Sequence, residues 1–429
     1  MKKIFPSVLL ALMLAACVPE GVRVPQSPLL PLLERKSGLI AFVGVDGNIY
    51  ITDQSGRNPA PITEDASIPE GGGNFVFYQY PTWSLDGSQL AFVSARGTGQ
   101  SQTSAVLFVH NVDDETTTEI FSSETEFPFY LYWSPDDENV TFLTTSAGGA
   151  SLILQSAAAN GDGISVLDTG SPFYWSWAPD GNTMIVHTGV EAAATPERLS
   201  FLNLDADIIE DSVDSTPASF QAPAWSPDGS RILLTRTSPE EGNEIVLVNS
   251  SGDYERSLAK FDVNAAFAWS PDGELVAHIE GDEPISAGTL GDLHVTELAT
   301  SEDFFQDDNV FAFFWSPDSR NLAYFKPFLV ASEESPDDPS LVLELHMLDT
   351  VTAESKLLFT FRPTSQFSAV LPYFDQYHQS TTIWSPDSNN LVLSFVSQEG
   401  SPGIAVVAAS GQLEPRIISQ GLIAFWSWK

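Results

Sequence analysis

Seven consecutive residues near the C-terminus carry the densest chemistry of the chain: Pro372-Tyr373-Phe374-Asp375-Gln376-Tyr377-His378. Aromatic faces stack on sugars and apolar side chains, while a carboxylate and an imidazole beside them offer hydrogen bonds or hold a cation. Tyr373, Phe374, Asp375, Tyr377 and His378 are therefore the candidate binding residues. The competing reading is a loop whose aromatics bury one another. Of the six histidines, His110, His187, His278, His294 and His346 fall in expected strands at unrelated phases, and His378 alone stands in an open loop. Metal-ligand spacing is absent, so no metal and no cofactor is expected, although folding can gather distant histidines. No Gly-x-Ser-x-Gly elbow occurs, and no residue is assigned a catalytic role.

The element that must position this segment is a repeat. Trp-Ser-Pro-Asp-Gly, followed by an aliphatic run, is cleanest at Trp225–Gly229 and Trp269–Gly273. The recurring tryptophans are Trp83, Trp133, Trp177, Trp225, Trp269, Trp315, Trp384 and Trp428. Their spacing stays mostly in the mid-forties, the range of propeller repeats. Proline presets a type I turn, aspartate bonds nearby amides, and glycine takes the left-handed position that closes a hairpin. Leu85 replaces the proline once, and Asp137, Ser319 and Ser388 replace the glycine, where departures cost least. Asp86, Asp136, Asp180, Asp228, Asp272, Asp318 and Asp387 never vary across the seven copies. Seven equivalent aspartates are turn-forming residues, not seven active sites. Two further strands and an outer strand follow each turn, giving four short strands per unit, and no amphipathic helix of useful length is expected.

This pattern resembles the TolB-like β-propeller family over about residues 39–428. In that family the inner strand ends at the tryptophan and the turn leads to the second strand. The resemblance implies an all-β propeller of four-stranded blades, eight by count, with seven plus an aberrant unit as the runner-up. It also implies that the chain begins on a second strand, 39–43, and ends on an inner one, 422–428. The two should pair and complete one blade, removing the free edges that invite aggregation. The Trp-Ser-Pro-Asp-Gly turns make one face uniform. Long connections at 64–78, 94–104, 188–197, 326–340 and 362–379 fall on the other, where function is expected.

Residues 1–16 form a signal segment, with Lys2 and Lys3 before an apolar run too short to span a bilayer comfortably. It ends Leu14-Ala15-Ala16-Cys17, which resembles the lipobox of bacterial lipoproteins and implies lipidation of Cys17, the single cysteine. Residues 17–37 read as a proline-rich tether and 38–429 as one domain. The expected location is the cell envelope or cell surface, held to a membrane by the lipid alone. The net charge of −39 repels phosphate backbones and excludes nucleic acid as a partner. The function that follows is a binding or scaffold module for a protein or glycan, acting through the long-loop face. The alternative is a carbohydrate-active lyase or hydrolase at the channel mouth, which would need His378 to converge with carboxylates from several blades.

Overall fold

The computed structural model describes residues 35–429 together with 23, 25 and 26, apart from 70–71, 147–148, 150, 190–196, 205–207, 284, 286 and 332–338. The signal segment, Cys17 and most of the tether lie outside the described residues. The described chain is a propeller of antiparallel sheets: six have four strands and one has seven. Within a sheet the strands follow one another in sequence. A representative order is Asn264–Trp269, Leu275–Gly281, Gly291–Glu297 and Glu302–Val310. The seven-stranded sheet is held in the middle by only two rungs, Arg362↔Val396 and Pro363↔Phe395. Beyond that junction Trp384 bridges Leu391, so the repeat phase resumes. No described helix is long and apolar enough to cross a membrane.

One sheet breaks the sequential order. Ile40–Gly44 pairs on one side with Ile49–Thr52 and on the other with Gly421–Trp426. The expected pairing of the two chain ends is therefore present, in the register Ile40↔Trp426, Ala41↔Phe425 and Phe42↔Ala424. That register corrects one repeat assignment. Elsewhere the repeat tryptophan faces the first residue of the aliphatic run, as in Trp83↔Leu90 and Trp133↔Val140. By this measure the last repeat tryptophan is Trp426, not Trp428.

The indoles agree. Trp133, Trp269, Trp315 and Trp384 each donate Nε1–H to the carbonyl just ahead of the preceding repeat tryptophan, at Thr82, Ala224, Ala268 and Phe314. Trp83 donates to Phe425, which places Trp426 in the series. Each bond ties neighbouring sheets at their inner strands and contributes about 1 kcal/mol. The indoles of Trp177 and Trp225 find no such carbonyl.

The turns share one hydrogen-bond pattern at all seven aspartates. Oδ1 accepts from the amide two residues on in each, from Ser88 to Asn389. Six also accept the hydroxyl of the preceding motif serine; in the seventh copy Ala178 takes that place. The glycine replacements are more than tolerated departures. Asp137, Ser319 and Ser388 hold φ near +60°, a strained value for a side chain. Each reaches the preceding turn. The Asp137 carboxylate accepts from Leu85 and Asp86 amides, Ser319 Oγ from Asp272 N, and Ser388 Oγ from Asp318 N. Ser37 Oγ accepts from Asp387 N in the same manner, continuing the series across the point where the two chain ends meet.

The long connections also differ from expectation. Residues 94–104 are largely extended, in the hairpin Gln89–Thr98 with Ser101–Asn111. Asn321–Val330 and Ser340–Asp349 likewise run out as a paired ribbon. Residues 190–196 and 332–338, including Glu333, Glu334, Asp337 and Asp338, lie outside the described residues. Segment 362–379 is not an open loop. It folds into α1 (Ser365–Val370), a 3-10 turn (Leu371–Tyr373) and α2 (Phe374–Ser380). Thr364 caps α1 by accepting from Phe367 N.

Candidate functional site

The short helix α2 lies in the central channel. It packs against the inner strands of four sheets: Phe129–Trp133, Phe173–Trp177, Asn264–Trp269 and Ala312–Trp315. The inner strand of a blade has one free edge, and its amides and carbonyls must find partners once water is excluded. The polar side chains of the helix supply them. Gln376 accepts from Trp175 N at 3.0 Å and donates to Trp175 O at 2.8 Å and to the Tyr130 hydroxyl at 2.7 Å. Tyr130 in turn donates to Gln376 O. Asp375 Oδ2 accepts from Ala222 N at 3.0 Å, Gln379 donates to Pro223 O, and His378 Nε2 accepts from Trp315 N.

These contacts decide the fate of the five candidate residues. Phe374 is buried against Phe313, with ring centroids 4.7 Å apart. Burial raises the Asp375 carboxyl to about 6, opposed by hydrogen bonds from the amides of Ala222 and Gln376. Burial pushes His378 down to about 4, so at neutral pH it is the uncharged acceptor that the Trp315 amide requires. Its expected open-loop position is thus corrected: the imidazole sits in the channel wall beside Phe314. Asp375 bonds Ala222, just ahead of the strand Ala224–Trp225, and His378 bonds Trp315 of a different blade. Only Tyr373, which is exposed, and Tyr377 face open space.

That space is a cavity of about 730 Å³ beside the helix. Its walls include Tyr80, Phe129, Tyr130, Phe173, Tyr174 and Phe220. Among the described residues, no aspartate, glutamate, lysine, arginine or histidine lines it, in a chain with 57 acidic residues. Among the described residues, none from a repeat tryptophan to the glycine position of its turn lines it, so it belongs to the face opposite the turns. Tyr80 and Tyr130 hold φ at 58° and 46° beside register shifts in their strands. Such bulges re-aim side chains next to functional sites.

A phase relation shows why these aromatics line a cavity. Three residues before each repeat tryptophan the chain reads Tyr80, Tyr130, Tyr174, Ala222, Ala266, Ala312, Thr381 and Ile423. The three alanines leave room for α2. The three tyrosines, Thr381 and Ile423 border the cavity. Among the described residues, a cluster of metal-ligating types occurs at His278, Glu280 and His294, away from this cavity.

No family model matches the sequence, and no curated protein matches it. Solved structures do. A dihydro-heme d1 dehydrogenase in complex with DHE superimposes with a TM-score of 0.55 at 15% identity, covering 96% of this chain and 78% of that one. A eukaryotic initiation factor superimposes with a TM-score of 0.51 at 12% identity, covering 92% and 98%. TolB from Acinetobacter baumannii gives 0.39 at 12% identity, covering 92% of each chain. At these identities the first two likenesses establish the fold and nothing about activity.

Proposed function

We propose that this protein is a binding module of the TolB-like kind: an eight-bladed propeller, lipid-anchored through Cys17 in the cell envelope. Its ring is closed by the pairing of Gly421–Trp426 with Ile40–Gly44. The eighth blade is the unit that begins at Trp384. The module holds a protein or glycan partner in the cavity at the channel mouth, on the face opposite the Trp-Ser-Pro-Asp-Gly turns.

The observation that carries the reading is the charge-free aromatic lining of that cavity. Exposed aromatic surface in a preformed concavity favours the apolar face of a sugar ring or uncharged side chains of a partner, with the tyrosine hydroxyls orienting what is bound. The enzyme alternative called for His378 among carboxylates, and His378 instead accepts a backbone amide.

The test is a panel of neutral oligosaccharides and aromatic-rich peptides, titrated against the mature protein and against Tyr174→Ala and Tyr373→Ala. Ligands found with the parent should bind at least about tenfold more weakly to both variants, as expected for aromatic anchors. Undiminished binding in both variants sinks the assignment of this cavity.

A further inference from the structure

His278 and His294 are separated by sixteen positions in sequence but are direct cross-strand partners. Their imidazoles stand on the same face of the sheet, stacked 5.2 Å apart with 9° between the ring planes. Glu280, two residues beyond His278, shares that face. Its Oε1 lies 3.1 Å from His278 Nε2 and 3.9 Å from His294 Nε2. One ligand atom from each residue falls within 4.8 Å of the others.

From these positions we infer a divalent transition-metal site, of zinc type, held by His278, Glu280 and His294.

The hydrogen bonds around His294 support it. Asp303 Oδ2 lies 3.1 Å from His294 Nδ1, and Asp303 Oδ1 accepts from the Thr296 hydroxyl. An ionised carboxylate only accepts, so Nδ1 of His294 donates to Asp303 and Nε2 is left facing the Glu280 side. A carboxylate behind an imidazole is the arrangement that orients metal-ligating histidines and raises their basicity. Glu280 is also the direct cross-strand partner of Asp292, a like-charge pair that a cation relieves. On binding, the metal takes the Nε2 position of His278, and the neutral ring then carries its one proton on Nδ1, which is buried and has no other hydrogen-bond partner among the described residues.

The donor set selects the metal. Two imidazoles and a carboxylate suit zinc, whereas calcium and magnesium prefer oxygen ligands alone. Three protein ligands leave a fourth position, and the Glu280 side chain is 29% exposed, so solvent reaches it. The His278 side chain is 1% exposed and fixes the inner end of the site in the sheet. The site lies on the second and third strands of its blade and shares no residue with the channel cavity, so it stands independently of the binding reading.

The sequence conceals this cluster because its spacing matches no metal motif. Two adjacent strands bring the ligands together through the register His278↔His294.

The experiment strips the mature protein with a chelator and titrates it with Zn²⁺ by calorimetry, then with Co²⁺ by visible absorption. One equivalent should bind, and Co²⁺ should give the visible bands of a four-coordinate nitrogen–oxygen site. His294→Ala and Glu280→Gln, both at partly exposed positions, should abolish the bands and weaken Zn²⁺ at least about tenfold, and Asp303→Asn should weaken it about tenfold. Circular dichroism of each variant checks that it is folded. A protein that takes up no Zn²⁺ overturns the site. So does Zn²⁺ binding that persists unchanged in folded His294→Ala and Glu280→Gln, since that identifies adventitious ions on an acidic surface.

Discussion

The wall of the channel changes character partway round. On one side Tyr80, Tyr130 and Tyr174 stand three residues before their repeat tryptophans; on the other, Ala222, Ala266 and Ala312 occupy the same phase. The same turn and the same strand order repeat on both sides, but Tyr80 and Tyr130 hold positive φ beside register shifts, and side-chain volume differs. Where it is small, α2 enters and its polar side chains satisfy the inner strand edges. Where it is large, the helix still bonds the strands through Gln376, but Tyr80, Tyr130 and Tyr174 border a cavity that the helix leaves unfilled. One repeat therefore yields a filled side and a side that keeps a cavity, and the latter carries the binding proposal.

The strongest way to break this contrast is at Gln376. Gln376→Leu leaves Trp175 N and Trp175 O without partners, each costing about 1–3 kcal/mol, while the Tyr130 hydroxyl keeps its bond to the carbonyl of residue 376. Denaturant unfolding should show a total loss of several kcal/mol, and a loss below about 1 kcal/mol would mean the helix does not seal the channel.

Next is the protonation of Asp375. Its folded-state value of about 6 stands above the ordinary 3.8, so the folded protein holds this proton more tightly than the unfolded chain. The stabilisation is full below the unfolded value and is lost as pH rises from 4 to 6, by roughly 3 kcal/mol in all. Unfolding curves of the parent and Asp375→Asn across that window should diverge, the parent weakening relative to the variant. Parallel curves would show that Asp375 is not buried in the wall.

Converting one side to the other comes third. Ala312→Phe should clash with α2 and cost about 1–3 kcal/mol through overpacking. Its thermal unfolding midpoint should fall, while an unchanged midpoint would place the helix elsewhere. A smaller effect is expected at the chain-end junction. Ser37→Ala removes the acceptor for Asp387 N and should cost about 1 kcal/mol. The smallest is on the open side, where Tyr373→Ala should alter stability by no more than about 0.5 kcal/mol while weakening ligand binding.

Much of the architecture was legible in the residues. The turn aspartates and the left-handed glycines follow from local chemistry repeated at one phase, and the pairing of the chain ends follows from the strand phasing that the family resemblance implies. The misassigned Trp428 shows the limit. Trp426 and Trp428 both precede or end a plausible match, and only the register Ile40↔Trp426 separates them. The candidate site was harder. Asp375 and His378 have the composition of a ligand site, but their partners are backbone groups of distant strands, which no local pattern announces. The Tyr-to-Ala change at the third position before each tryptophan was visible, yet its meaning depends on knowing that this position faces the channel.

What the sequence determined by itself is the repeating unit, because turn chemistry and strand alternation are local and recur at a single period. What only the tertiary structure decided is which polar groups remain free to meet a ligand. Segment 362–379 carries aromatics, an acid and a histidine, and these would serve an open loop as readily as a plug. The channel it enters exists only once the inner strands have converged, and their unpaired amides and carbonyls then claim Asp375, Gln376, His378 and Gln379.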